Sequence, residues 1–92
     1  MTMRVTVHYL AQIKRSAGCP TEIVEAPDGV TLRDLVRNLA DRDGAALHAL
    51  LLDETEEPHK SLLFFVGEEH AEVSRPLRDG DSVTILTPMS GG

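Results

Sequence analysis

Asp79-Gly80-Asp81-Ser82-Val83-Thr84-Ile85-Leu86-Thr87-Pro88-Met89-Ser90-Gly91-Gly92 closes the chain and governs how the rest is read. Asp79-Gly80-Asp81 is a turn signal, and Ser82 to Thr87 alternates with β-branched residues, the pattern of a strand. That strand runs straight into the tail, so the tail leaves from a rigid base. At average glycine usage, two glycines at a given terminus arise by chance in about one chain in 200. The ordinary fate of a chain end is a frayed tail. Here six extended residues at ~3.3 Å each reach roughly 20 Å. Gly91 and Gly92 lack Cβ atoms and suit a channel too narrow for any other residue. The combination fits a terminal carboxylate delivered into the active site of another protein.

Composition bounds the rest. The 92 residues make one small domain, 1–92, with residues 87–92 as its extended functional tail. A net charge of -6 argues against a nucleic-acid binder, and Lys14 and Lys60 are the only lysines. Acidity of this kind serves solubility first and steering toward basic partner surfaces second. Cys19 is the only cysteine, which excludes an intramolecular disulfide. Met1-Thr2-Met3-Arg4 leads directly into a strand-like segment without the features of a signal peptide. No apolar run approaches the roughly 20 residues of a membrane span, and a cytoplasmic protein is expected.

In Met3 to Leu10, Met3, Val5, Val7 and Tyr9 alternate with Arg4, Thr6, His8 and Leu10, a first strand. Ala11 to Gly18 is a short amphipathic connection closed by Gly18-Cys19-Pro20, and Thr21 to Glu25 is a second strand. The pair is expected to form an antiparallel hairpin with a long loop. Pro27-Asp28-Gly29 signals a turn. Thr31 stands as a helix N-cap, with Asp34 at the capping-box position. Leu32, Leu35, Val36, Leu39 and Ala40 then form one apolar stripe, with Arg33, Arg37, Asp41 and Arg42 on the other side. Such a helix must cover a sheet, and Asp43-Gly44 stops it. Ala45 to Leu52 reads as a shorter helix, and Asp53-Glu54-Thr55-Glu56-Glu57-Pro58 as a mobile, solvated charged loop. Leu62 to Val66 is a third strand ended by Gly67-Glu68-Glu69, and Ala71-Glu72-Val73 a very short edge strand.

This order predicts an α+β fold, a mixed sheet of about four to five strands with one main helix on one face. The first and last strands become a central parallel pair joined by a right-handed crossover through the helix. The arrangement is the ubiquitin-like β-grasp roll.

Alternation places Val83 and Ile85 on one face of the last strand, and Thr84 and Leu86 on the other. In the third strand Leu63 and Phe65 oppose Leu62, Phe64 and Val66. Placing Leu63, Phe65, Val83 and Ile85 under the helix sends Phe64, Thr84 and Leu86 outward, as the expected partner-binding face. One helix cannot cover both faces, and exposed apolar patches mark partner surfaces. The competing expectation is that the shorter helix or a loop folds over them.

The segment Leu62 to Gly92, with Pro76-Leu77, Asp79-Gly80-Asp81 and Gly91-Gly92, resembles the MoaD/ThiS family of ubiquitin-like sulfur carriers. The first strand and the helix after Thr31 also fit, so the resemblance spans nearly the whole chain. Its length is closer to MoaD and the cysteine-forming carriers than to ThiS. Members commonly end in a Pro-Pro-Val-x-Gly-Gly-like tail, where this chain has Thr87-Pro88-Met89-Ser90-Gly91-Gly92.

The resemblance implies that a MoeB/ThiF-type activating enzyme adenylates the Gly92 carboxylate with ATP and magnesium, both belonging to that enzyme. Sulfide, or a persulfide followed by a thiol that cleaves the resulting acyl disulfide, then displaces AMP and leaves a thiocarboxylate. Pro88, Met89, Ser90 and Gly91 thread into the partner. The carrier binds no cofactor, performs no catalysis and is a monomer when alone. The sulfur passes to an enzyme resembling the molybdopterin synthase large subunit or a cysteine synthase. A ubiquitin-like modifier joined through Gly92 to target lysines would share the first step. A β-grasp interaction module with an inert tail would not.

The other constellations fall short of sites. His8, His48, His59, His70 and Cys19 show no metal-ligand spacing, and Cys19 has no activating base beside it in sequence. Gly67-Glu68-Glu69 reads as a turn rather than a phosphate cradle.

Overall fold

Strand β1 (Thr2–Tyr9) buries Met3, Val5, Val7 and Tyr9 and turns Arg4, Thr6 and His8 to the opposite face. In this computed structural model residues 2–10, 12–42 and 45–86 are described. A short helix α1 (Gln12–Ala17) follows, anchored by the fully buried Ile13. The chain then returns as β2 (Thr21–Pro27), α2 (Leu32–Arg42), α3 (Ala45–Leu51), β3 (Leu63–Val66), β4 (Glu69–His70) and β5 (Ser82–Leu86).

The five strands form one sheet in the order β2-β1-β5-β3-β4. β1 and β5 are its central parallel pair, and the β1–β2, β3–β5 and β3–β4 pairings are antiparallel. The β-grasp expectation is met, with the C-terminal end of β5 at the rim of the sheet.

Helix α2 begins where its sequence sets it. The Thr31 hydroxyl accepts the Asp34 N–H at 3.3 Å and donates to the Asp34 carboxylate at 3.2 Å. The N–H groups of Leu32 and Arg33 donate to the carbonyls of Arg75 and Val73. Donors that a helix start leaves open are thereby satisfied. Leu32, Leu35, Val36, Leu39 and Ala40 are all buried, and each such leucine contributes about 1.5–3 kcal/mol relative to exposure. Leu47 and Leu51 of α3 join the same core, and α3 contacts α2 and α1. The shorter helix therefore thickens the helical layer and leaves the outer face of the sheet uncovered.

Two expectations are corrected. Phe64 was expected outward, yet it is 4% exposed and Val66 is also buried, while Leu63 and Phe65 are half-buried on the other face. Cross-strand partners share a face. Phe64 pairs with Ile85 and Val66 with Val83, so both go under the helices. Ala71-Glu72-Val73 was expected to form the edge strand, which is instead Glu69–His70. Gly67, at φ 62°, and Glu68 form a two-residue hairpin loop that brings Glu69 back beside Val66. The residues after His70 then turn toward the start of α2: Thr31 bridges to Pro76, and the Leu77 N–H donates to the Val30 carbonyl at 2.8 Å.

The loop after α3 is built around one carboxylate. Asp53 Oδ1 accepts the Thr55 N–H at 2.8 Å, the Thr55 hydroxyl at 2.6 Å and the Glu57 N–H at 3.2 Å. These bonds, the Thr55 hydroxyl foremost, hold the Asp53 carboxyl below its ordinary pKa. Glu57 reaches Arg33 at 3.0 Å and Arg37 at 4.0 Å, tying the loop to α2, and Glu56 accepts from His48 at 3.0 Å if that ring nitrogen carries its proton. Asp43-Gly44, expected to stop α2, and Thr87, expected in the last strand, lie outside the described residues.

Candidate functional site

β5 is the base of the tail, and its neighbours fix what surrounds that base. Tyr9 pairs with Ile85 on the β1 side, and the Leu10 N–H donates to the Ile85 carbonyl at 3.2 Å. On the other side Leu63 pairs with Leu86 and Phe65 with Thr84. Leu86, the last described residue, thus lies between the end of β1 and the start of β3.

Period-two alternation puts one outward row across the whole sheet: Thr21, His8, Thr84, Phe65 and His70. His8 holds the polar side of this row, its Nδ1 3.3 Å from Thr21 Oγ1 and its Nε2 3.3 Å from Ser82 Oγ. Phe65 holds the apolar side and meets the His70 ring edge-on, with centroids 5.6 Å apart and an interplanar angle of 83°. Nearer the rim, Leu63 and Leu86 are half-buried and Leu10 is 45% exposed. Together Leu10, Leu63, Phe65 and Leu86 make an apolar strip that ends at the tail base, with Thr84 beside it.

Of the expected face, Thr84 and Leu86 lie where alternation put them, and Phe64 is replaced by Phe65. Leu10 was placed on the correct face by alternation but not counted; its position one residue beyond β1, level with the tail base, was the usable signal. Leu63 and Phe65 carried no such signal. Leu62-Leu63-Phe64-Phe65-Val66 is apolar on both faces, so the run has a period without a phase. Pro88, Met89, Ser90, Gly91 and Gly92 lie outside the described residues.

The site contains no reactive constellation of its own among the described residues. No group of three His, Cys, Asp or Glu side chains is placed to hold a metal ion there. Cys19 is half-buried against the core, and no described helix is long and apolar enough to cross a membrane. What the arrangement offers is a surface and a strand end.

Comparison with known proteins agrees in extent as well as in fold. A family model described as the ThiS family matches residues 7–92. The chain is 29% identical over 92 residues to the molybdopterin synthase sulfur carrier subunit of Chlamydomonas reinhardtii, covering 98% of this chain and 100% of that protein. Among solved structures it resembles SAMP1 from Haloferax volcanii with a TM-score of 0.87 at 21% identity, over 97% of this chain and 99% of the other. It also resembles a chain of the Amycolatopsis orientalis BexX/CysO complex, with a TM-score of 0.69 at 28% identity, over 96% and 99%.

Proposed function

The chain belongs to the ThiS family of ubiquitin-like proteins, and from that premise we propose that it is a sulfur carrier charged at the carboxylate of Gly92. The observation that carries this reading is the position of β5. It runs through the centre of the sheet and ends at the rim beside a partly exposed apolar strip, with four residues, 87–90, between Leu86 and Gly-Gly.

In this mechanism a MoeB/ThiF-type enzyme docks on Leu10, Leu63, Phe65, Thr84 and Leu86. The tail, Pro88 to Gly92, enters its active site. A carboxylate oxygen of Gly92 attacks the α-phosphorus of ATP, and pyrophosphate leaves. The resulting acyl adenylate makes a poor electrophile into a good one. Sulfide attacks the acyl carbon, the bond to AMP breaks, and a thiocarboxylate remains. ATP and magnesium are the activating enzyme's, and the carrier supplies the reacting terminus and the docking surface. The acceptor is an enzyme resembling the molybdopterin synthase large subunit, a choice favoured by the relative named as that synthase's carrier subunit. A cysteine-synthase-like acceptor is the other outlet.

The test is the intact mass of the untagged protein before and after incubation with an activating enzyme, ATP and sulfide. Exchange of oxygen for sulfur adds about 16 Da, nominally the same as methionine oxidation, so fragmentation must place the gain on Gly92 rather than Met89. A gain on Gly92 supports the carrier. Gly-Gly remnants on cellular lysines without such a gain would support a modifier instead.

A further inference from the structure

The ends of the sheet differ in charge, and the difference follows from the topology. Where β5 begins, the turns carry acids. Asp28 follows Pro27, which pairs with Thr2, and Glu68 follows Val66, which pairs with Val83. Asp79 and Asp81 stand in the turn before Ser82, and Asp79 Oδ1 accepts the Arg4 N–H at 2.8 Å.

Where β5 ends, exposed cations stand on both flanks, with the exposed Glu72 lining the same cleft as the cation on the β3 side. On one flank α1 starts just beyond Leu10 and presents Lys14 and Arg15 to solvent. On the other, the turn closed by the Leu62 N–H to the His59 carbonyl presents Lys60, three residues before Leu63 meets Leu86.

Most other cations are already engaged. Arg4, Arg33, Arg37, Arg42 and Arg75 are in ion pairs with Glu25, Glu57, Glu22 and Glu69. Lys14, Arg15 and Lys60 have no carboxylate partner among the described residues. Glu22, the acid of β2 nearest α1, is occupied by Arg42 and by the Tyr9 hydroxyl at 2.6 Å. A chain of net charge -6 thus keeps both of its lysines free at the end that leads with the tail.

Position decides what these cations recognise. The flanks lie on either side of the end of β5, two strand spacings or about 10 Å apart. Whatever surface receives the tail therefore meets cations on both sides of it.

We propose that Lys14, Arg15 and Lys60 form a cationic collar around the tail base, and that its occupant is an acidic rim of protein surface surrounding the channel that receives the tail. The proposal rests on the tail-inserting carrier reading. The collar orients the carrier tail-first, and the acidic opposite end is repelled from the same rim, so its main effect is on the association rate.

Two charge-matched variants test it: Lys14→Glu/Lys60→Glu at the collar and Arg4→Glu/Arg78→Glu at the opposite end, each confirmed folded by circular dichroism. Association with the activating enzyme is measured without ATP between about 0.02 and 0.5 M salt, over which the Debye length falls from roughly 20 to 4 Å. Adenylation is measured in parallel by pyrophosphate release. The collar variant is expected to associate about tenfold more slowly at low salt, with a flattened salt dependence and an unchanged turnover rate at saturating carrier. The opposite-end variant should stay near wild type.

Equal slowing in both variants would reduce the effect to net charge and overturn the collar. Unchanged association in the collar variant, with normal adenylation, would overturn the collar and leave the carrier standing. Wild-type protein that binds with the collar-dependent salt response yet is never adenylated would uphold the collar and overturn the carrier. Absence of both binding and adenylation would overturn both.

Discussion

Phe64 and Phe65 are neighbours with opposite duties. Phe64 is 4% exposed beneath the helices, so Phe64→Ala should cost about 3–5 kcal/mol. Phe65 faces outward and half-buried, and Phe65→Ala or Leu86→Ala should cost only about 1 kcal/mol while weakening association with the activating enzyme. Urea denaturation beside a binding titration separates the two; a larger stability loss at Phe65 than at Phe64 would invert the faces. Asp53 offers a second residue-level test. Its carboxyl pKa is lowered by the Thr55 hydroxyl and backbone. The group's folded pKa therefore lies below its unfolded one, so its contribution to stability is complete above the unfolded pKa and lost as pH falls through the folded pKa. By NMR, the Asp53 carboxyl should titrate below the ordinary aspartate range, and Thr55→Val should move its midpoint upward. A midpoint unaffected by Thr55→Val would remove that hydroxyl as the cause.

Helix α2 shows how local signals and distant chain cooperate in one element. The Thr31 cap and the apolar stripe are local. The carbonyls of Val73 and Arg75, which accept from Arg33 and Leu32, come from a segment some forty residues later. Thr31→Ala should cost about 1 kcal/mol, read as a shift in the urea midpoint. Amide exchange should rise mainly at the Asp34 N–H, because the Leu32 and Arg33 donors keep their carbonyls. Faster exchange at all of these positions would mean that the cap, rather than the 73–75 segment, anchors the helix start. The strand prediction at Ala71-Glu72-Val73 failed for the same reason. The backbone of that stretch is divided: the Ala71 N–H donates to the Phe64 carbonyl, the Glu72 carbonyl accepts from Arg75 in a turn, and the Val73 carbonyl accepts from Arg33 of α2, while Glu69–His70 is what a two-residue loop at Gly67-Glu68 returns to β3.

As a whole molecule the protein is a rigid sheet-and-helix base with a reactive terminus proposed beyond it. Gly91→Ala should leave the urea midpoint unchanged and block or slow adenylation, because the added methyl meets the channel wall. Normal pyrophosphate release by the variant would remove the threading argument. Truncation of Gly91 and Gly92 should abolish adenylation outright, again without loss of stability, since the buried core among the described residues runs from Met3 to Ile85.

The sequence by itself determined the elements whose pattern has both a period and a phase. The α2 stripe is apolar on one side only. In β5 the threonine at 84 opposes Val83 and Ile85, and in β1 the charged and polar residues oppose Met3, Val5, Val7 and Tyr9. Those patterns were enough for the β-grasp. The tertiary structure decided what had no phase or no local cause. Leu62 to Val66 is apolar throughout, and only pairing with β5 turned Phe64 in and Phe65 out. Lys14, Arg15 and Lys60 are unremarkable in sequence, and only the parallel β1–β5 pair flanked by β3 brings them to one end. Hydrophobic periodicity is a property of a segment; the face it buries, and the charges it gathers, are properties of its neighbours.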